Sequence, residues 1–98
     1  MRPPAIEKMG YYPTDEPVIE AIQSYIAPAT SRARLFDPCA GEGRAASLLG
    51  KALNCETWGV ELSPERAAKA EQALDKVYQA PWQACFLTDE SISCLFCN

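Results

Sequence analysis

From residue 14 the apolar positions recur at helical spacing. Val18, Ile19, Ile22, Tyr25 and Ile26 form one face of a first helix. Thr14 is read as its N-cap, Asp15 and Glu16 suit the positive helix start, Pro17 is tolerated in the first turn, and Pro28 stops it. Arg34 to Asp37 is a short strand with Leu35 and Phe36 as its apolar pair. Arg44 to Leu53 is a second helix packed through Ala45, Leu48, Leu49 and Leu53. Thr57 to Glu61 is a second strand. Ser63-Pro64-Glu65 opens a third helix with a Ser N-cap, Pro at the first helical position and an acid in the first turn. That helix aligns Ala67, Ala70, Leu74 and Val77 on one stripe. A brief third strand follows at Val77 to Gln79, and residues 80–91 read as loop. Ile92 to Cys97 is read as one apolar run, with Ser93 its single polar residue, in the pattern of a buried central strand.

Strands alternating with helices imply an α/β fold with a parallel sheet and right-handed crossovers. The 98 residues make at most one domain. Residues 1–10 read as an irregular arm and 11–98 as the folded unit. No apolar stretch approaches the ~20 residues that span a bilayer. The start, Met1-Arg2-Pro3-Pro4, is not a secretory signal, so a cytoplasmic location is expected. The net charge of −4 argues against this chain being the main grip on a nucleic acid. The odd count of five cysteines, without an export signal, points to reduced, mostly buried thiols. Cys94-x-x-Cys97 has zinc or redox spacing. A zinc site wants two further ligands, however, and the chain has no His, so no metal site is expected.

In an open parallel sheet, ligands sit beyond the carboxyl ends of the strands. Asp37-Pro38-Cys39-Ala40-Gly41-Glu42-Gly43 lies at such an end. Gly41 and Gly43 accept positive φ and let a ligand approach the backbone, although a tight turn without a ligand has the same pattern. Glu61 closes the next strand. A carboxylate there accepts hydrogen bonds from both ribose hydroxyls of a nucleoside; the alternative is a solvent-exposed acid capping the next helix. The turn lacks G-x-G-x-x-G, and Glu42 stands where a pyrophosphate wants bare amides. An acidic, glycine-lined turn suits a ligand with a sulfonium and an amino group, which makes S-adenosylmethionine the candidate.

DPCAGEG after an apolar strand, with GVEL at the next strand end, resembles the first two motifs of class I S-adenosylmethionine-dependent methyltransferases. The closer resemblance is to the adenine-N6 DNA methyltransferases. There a YYPT-like segment (here Tyr11-Tyr12-Pro13-Thr14) precedes the first helix, and Asn-Pro-Pro-Tyr follows the fourth strand. Leu95-Phe96-Cys97-Asn98 matches the approach to that signature and its first residue. The resemblance covers residues 10–98 and implies a Rossmann-like methyltransferase fold with a partial sheet of three or four strands. It implies that Asp37, Pro38, Cys39, Ala40, Gly41 and Gly43 face the methionine part of the cofactor. Glu61 would bind the ribose and Leu62 would lie against the adenine, with Thr14 and Tyr12 on the carboxylate side. The family's acid after the third strand has no counterpart near Ala80-Pro81-Trp82, where Trp82 is placed either to stack on the adenine or to serve as a core residue. Asn98 would accept hydrogen bonds from the exocyclic amine of an adenine flipped out of DNA.

The family's sheet has about seven strands. The expectations are therefore that this chain alone does not methylate DNA, that DNA contacts lie largely in further parts, and that the apolar edge at Ile92–Cys97 drives self-association. An RNA base or a protein amide as acceptor, or a non-catalytic nucleoside-binding or assembly module, are the other readings.

Overall fold

The computed structural model describes residues 13–97. Three helices, α1 (Glu16–Gln23), α2 (Arg44–Leu53) and α3 (Pro64–Ala73), accompany four strands, β1 (Arg34–Asp37), β2 (Glu56–Glu61), β3 (Lys76–Gln79) and β4 (Cys94–Leu95). The strands form one parallel sheet in the order β3-β2-β1-β4. The β1-α2-β2 and β2-α3-β3 units step in the same direction. Right-handed crossovers therefore put both helices on one face, and α2 and α3 touch each other and the strands between them. The core lies between that face and the helices, with Ile19, Leu35, Ala46, Leu49, Leu53 and Ala70 all buried. Each large aliphatic side chain sealed there contributes on the order of 1.5–3 kcal/mol.

β1, α2 and the Ser63-Pro64 helix start form where the sequence pattern puts them, because turn and cap residues mark each boundary. The Ser63 hydroxyl accepts from the Arg66 N–H at 3.4 Å. Asn54, in the left-handed region at φ 56°, closes α2.

Several expectations change. Asp15, not Thr14, occupies the N-cap position of α1, and its side chain makes no capping bond. The helix ends at Gln23, well before Pro28, because the Ser24 hydroxyl donates to the Ala21 carbonyl at 2.6 Å and competes with the helical ladder. Only Ile19 of the predicted face is buried, while Val18, Tyr25 and Ile26 are exposed. The run Ile92–Cys97 is not a central strand. Only Cys94 and Leu95 pair with β1, at the end of the sheet, and Leu95 is 60% exposed. The cysteines are all free thiols and none is fully buried; Cys39 and Cys97 are exposed. Trp82 is 56% exposed and so is not a core residue. No group among the described residues has metal-binding geometry, and no described helix is long and apolar enough to cross a membrane. Residues 1–10, Tyr12 and Asn98 lie outside the described residues.

Candidate functional site

β1 and β2 are adjacent and parallel, so their carboxyl ends point the same way. Asp37 pairs with Gly59, which leaves Glu61 two residues further up its strand. The turn after β1 is stitched onto β2 by two bonds. The Ala40 N–H donates to the Val60 carbonyl (2.8 Å), and the Gly41 N–H donates to Glu61 Oε1 (2.8 Å). Gly41 (φ 61°) and Gly43 (φ 85°) both adopt left-handed backbone, which a side chain would strain.

Glu61 is buried, which excludes the exposed helix-cap reading. Its second oxygen, Oε2, accepts from the Ser63 N–H (2.9 Å) and from Arg66 Nε (3.2 Å) and Nη2 (3.2 Å). Arg66 sits in the first turn of α3, where the helix dipole disfavours a cation. A cation at that position is a sequence signal for a nearby carboxylate, here Glu61.

Asp37 is buried at the other strand tip. Its Oδ1 accepts from the Cys39 N–H at 3.0 Å. Burial pushes its carboxyl up from 3.8 to about 6, the Cys39 bond opposes the rise, and the nearby Glu61 charge adds to it. The Cys39 thiol is also raised, by burial first and then by Asp37, Glu61 and Cys97. It is therefore held protonated and unreactive.

A cleft of about 700 Å³ opens over these tips, within the size range of small-molecule sites. Thr14, Asp37, Pro38, Cys39, Ala40, Glu61, Leu62 and Trp82 all line it, so the structure brings these expected residues together. Gly41 and Gly43 do not. The Gly41 amide is spent on Glu61, and a Cβ on Gly43 would stand 3.2 Å from Ala70 Cα and Leu74 Cγ. These glycines shape the turn rather than the cleft wall. Arg66, Gln83 and Phe96 also line the cleft without having been singled out by the sequence. Gln83 puts an amide just past the place where the family's acid was absent. Glu42 pairs with Lys69 at 3.1 Å and Arg44 pairs with Glu16, so each of these charges at the rim has a partner.

A second, apolar cleft of about 820 Å³ adjoins the first across Pro38, Cys39 and Trp82, and runs along β4 past Leu87, Ile92 and Leu95.

Among the solved structures that share this fold are two bound complexes. One is an RNA methyltransferase from Salinibacter ruber in complex with S-adenosyl-L-homocysteine (TM-score 0.60, 19% identity), matched over 76% of this chain and 53% of that one. The other is the N-terminal domain of human METTL16 in complex with SAH (TM-score 0.57, 18% identity), matched over 88% of this chain and 42% of that one. The chain thus spans about half the length of these structures. No curated protein sequence matches it. Residues 5–98 match the family described as "Uncharacterised methyltransferase family (DUF6094)".

Proposed function

The chain belongs to the uncharacterised methyltransferase family DUF6094, and from that premise we propose that its charged cleft over Asp37 and Glu61 binds S-adenosylmethionine for methyl transfer to an exocyclic amine of a nucleic-acid base. The observation that carries this reading is the pair of buried carboxylates, Asp37 and Glu61, on adjacent strand tips around one hollow of about 700 Å³. The donor set fits the cofactor. A carboxyl held high by burial and by a like-charged neighbour is completed by a cation, and this cofactor carries a sulfonium and an ammonium. Both solved neighbours contain its demethylated product.

When bound, the cofactor supplies a methyl group activated by positively charged sulfur. Asp37 would hold the cationic methionine end, with the Pro38-Cys39-Ala40 segment alongside. Glu61, fixed by Gly41, Ser63 and Arg66, would use its remaining lone pairs for the ribose hydroxyls. Leu62 and Trp82 would flank the adenine, and Thr14 with Tyr12 would serve the carboxylate side. Asn98 would orient the acceptor amine. The residues contribute mainly by positioning and by fixed charge.

The motif order favours adenine-N6 in DNA as the acceptor. The named activity of the Salinibacter ruber neighbour favours a second reading, an RNA base. Calorimetric titration tests the cofactor. One-to-one binding of S-adenosylmethionine and S-adenosylhomocysteine, weakened at least tenfold in Glu61→Gln, supports the proposal; no heat with either ligand overturns it. The acceptor is read with a full-length family member and labelled cofactor. Label in DNA supports the first reading, label in RNA the second, and label only in protein removes both.

A further inference from the structure

The sheet face opposite α1–α3 is covered unevenly. The chain passes from β3 to β4 across it with only a three-residue 3₁₀ turn, Trp82–Ala84, where a crossover ordinarily carries a helix. Paired residues of parallel strands share a face and alternate residues of one strand return to it, so Trp58 with its partner Lys76, Arg34 with its partner Glu56, and Tyr78 two residues on from Lys76 all stand on this one.

These side chains interleave rings and cations. The Arg34 guanidinium lies 3.9 Å from the Trp58 ring centroid. The Lys76 ammonium is 4.9 Å from the Trp58 centroid and 5.5 Å from that of Tyr78. The two rings meet edge-on at 6.5 Å. Glu56 accepts from the Trp58 indole N–H, pairs with Arg34 at 3.3 Å and reaches Arg32 at 3.7 Å. Arg32 and Arg34 therefore share one carboxylate, and Lys76 adds a third cation against the same rings, in a chain whose net charge is −4. The Arg32 side chain is 84% exposed and Tyr78 is 43% exposed.

We infer that this face binds single-stranded nucleic acid, with phosphates on Arg32 and Lys76 and a base stacked on Tyr78. The excess of positive charge is self-repelling until a polyanion neutralises it. Cations alternating with rings on an open sheet match a strand that presents phosphate and base in turn. An acidic peptide would use the cations and leave Tyr78 idle, and a duplex offers no free base to the ring. The net charge of the whole chain hides this cluster from a composition-based reading. The inference rests on the nucleic-acid acceptor reading for its purpose only. Lys76, Tyr78 and Arg32 do not line the cofactor cleft, so the two stand or fall separately.

The test is fluorescence anisotropy of a labelled mixed-sequence oligoribonucleotide titrated with the full chain, without cofactor. Its DNA counterpart, the same sequence as a duplex, and dextran sulfate as competitor form the other arms. Binding should weaken with salt at a log–log slope of about −2, as expected for a few phosphate contacts to a single strand. Lys76→Glu should weaken it roughly tenfold or more, and Tyr78→Ala roughly five- to thirtyfold. Both variants should keep the wild-type circular dichroism and the wild-type S-adenosylhomocysteine affinity. Preference for RNA or for DNA single strands names the source of the strand, and either supports the inference. No oligonucleotide binding, binding insensitive to both variants, tighter binding to the duplex, or an unchanged Tyr78→Ala with dextran sulfate competing equally well, overturns it.

Discussion

The Gly41 amide donates to the Glu61 carboxylate at 2.8 Å, so the end of β2 holds in place the turn that follows β1. One side chain thus links the two motifs that flank the cleft. Glu61 also neutralises Arg66, whose side chain is only 16% exposed. Glu61→Ala should leave a nearly buried guanidinium and a buried amide without this acceptor, at a cost of roughly 3–5 kcal/mol. Glu61→Gln retains an oxygen for Gly41 and should cost less than half as much. Paired urea melts and S-adenosylhomocysteine titrations separate the two effects. If affinity falls only in proportion to stability, Glu61 is a brace and does not touch the ligand.

Asp37 predicts a pH dependence of opposite sign for stability and for binding. Its folded pKa, about 6, lies above the ordinary 3.8. The folded state therefore favours the protonated form. That contribution is complete below about pH 4 and is lost as pH rises through about 6. At pH 7.5, Asp37→Asn should stabilise the fold by on the order of 2–3 kcal/mol, and at pH 4 the gain should vanish. A cationic ligand needs the charged carboxylate, so S-adenosylhomocysteine should bind progressively more weakly from pH 7 to pH 5. In Asp37→Asn the affinity should be low and flat over that range. A wild-type affinity independent of pH would show that the ligand's cation is held elsewhere.

Much of this was legible in advance because the signals are local. The apolar pair Leu35-Phe36 before a proline, the double glycine, and Ser63-Pro64-Glu65 are each read by a turn or cap within a few residues, and each boundary falls where they put it. The failures share a cause too. The run Ile92–Cys97 reports that the segment is apolar, but not how many strands flank it, and here only Cys94 and Leu95 find a partner. Gly59 acquires its role from Ala40 and Leu74, 19 and 15 residues away on other elements, which no short window along the chain contains. Arg66 lies only five residues from Glu61, but the strand end and helix start between them decide that the two side chains meet.

Gly59 gives the sharpest test of how the turn is seated. A Cβ there would stand 2.8 Å from both Ala40 Cβ and Leu74 Cδ1. Gly59→Ala should therefore push the Ala40 segment toward the cleft, costing roughly 1–3 kcal/mol and weakening S-adenosylhomocysteine at least tenfold. Gly50 is the control. Its Cβ would lie 2.1 Å from Thr57 Cγ2, away from the cleft. Gly50→Ala should destabilise by a similar roughly 1–3 kcal/mol, net of the ~1 kcal/mol that alanine returns in helix propensity, with affinity unchanged in the folded fraction. Equal losses of affinity in the two variants would mean that the cleft responds to global loosening rather than to the turn.

β4 closes one side of the sheet, and among the described residues nothing pairs with its outer edge. An unpaired edge is a template for another strand, and natural edges are guarded by lysine, proline or a bulge. Residues 92–97 carry neither lysine nor proline, and the apolar cleft beside them is lined without a charged side chain. Two copies of a −4 chain repel over most of their surfaces but not along this strip. A second copy should therefore add across β4 and cover Leu95. Sedimentation equilibrium should show a dimer growing with concentration. Leu95→Lys, which places a charge in that interface, should raise the dissociation constant at least tenfold while leaving the melting temperature of the monomer nearly unchanged, because Leu95 is already 60% exposed. A wild-type chain that stays monomeric at high concentration, or a dimer indifferent to Leu95→Lys, would remove β4 as the contact.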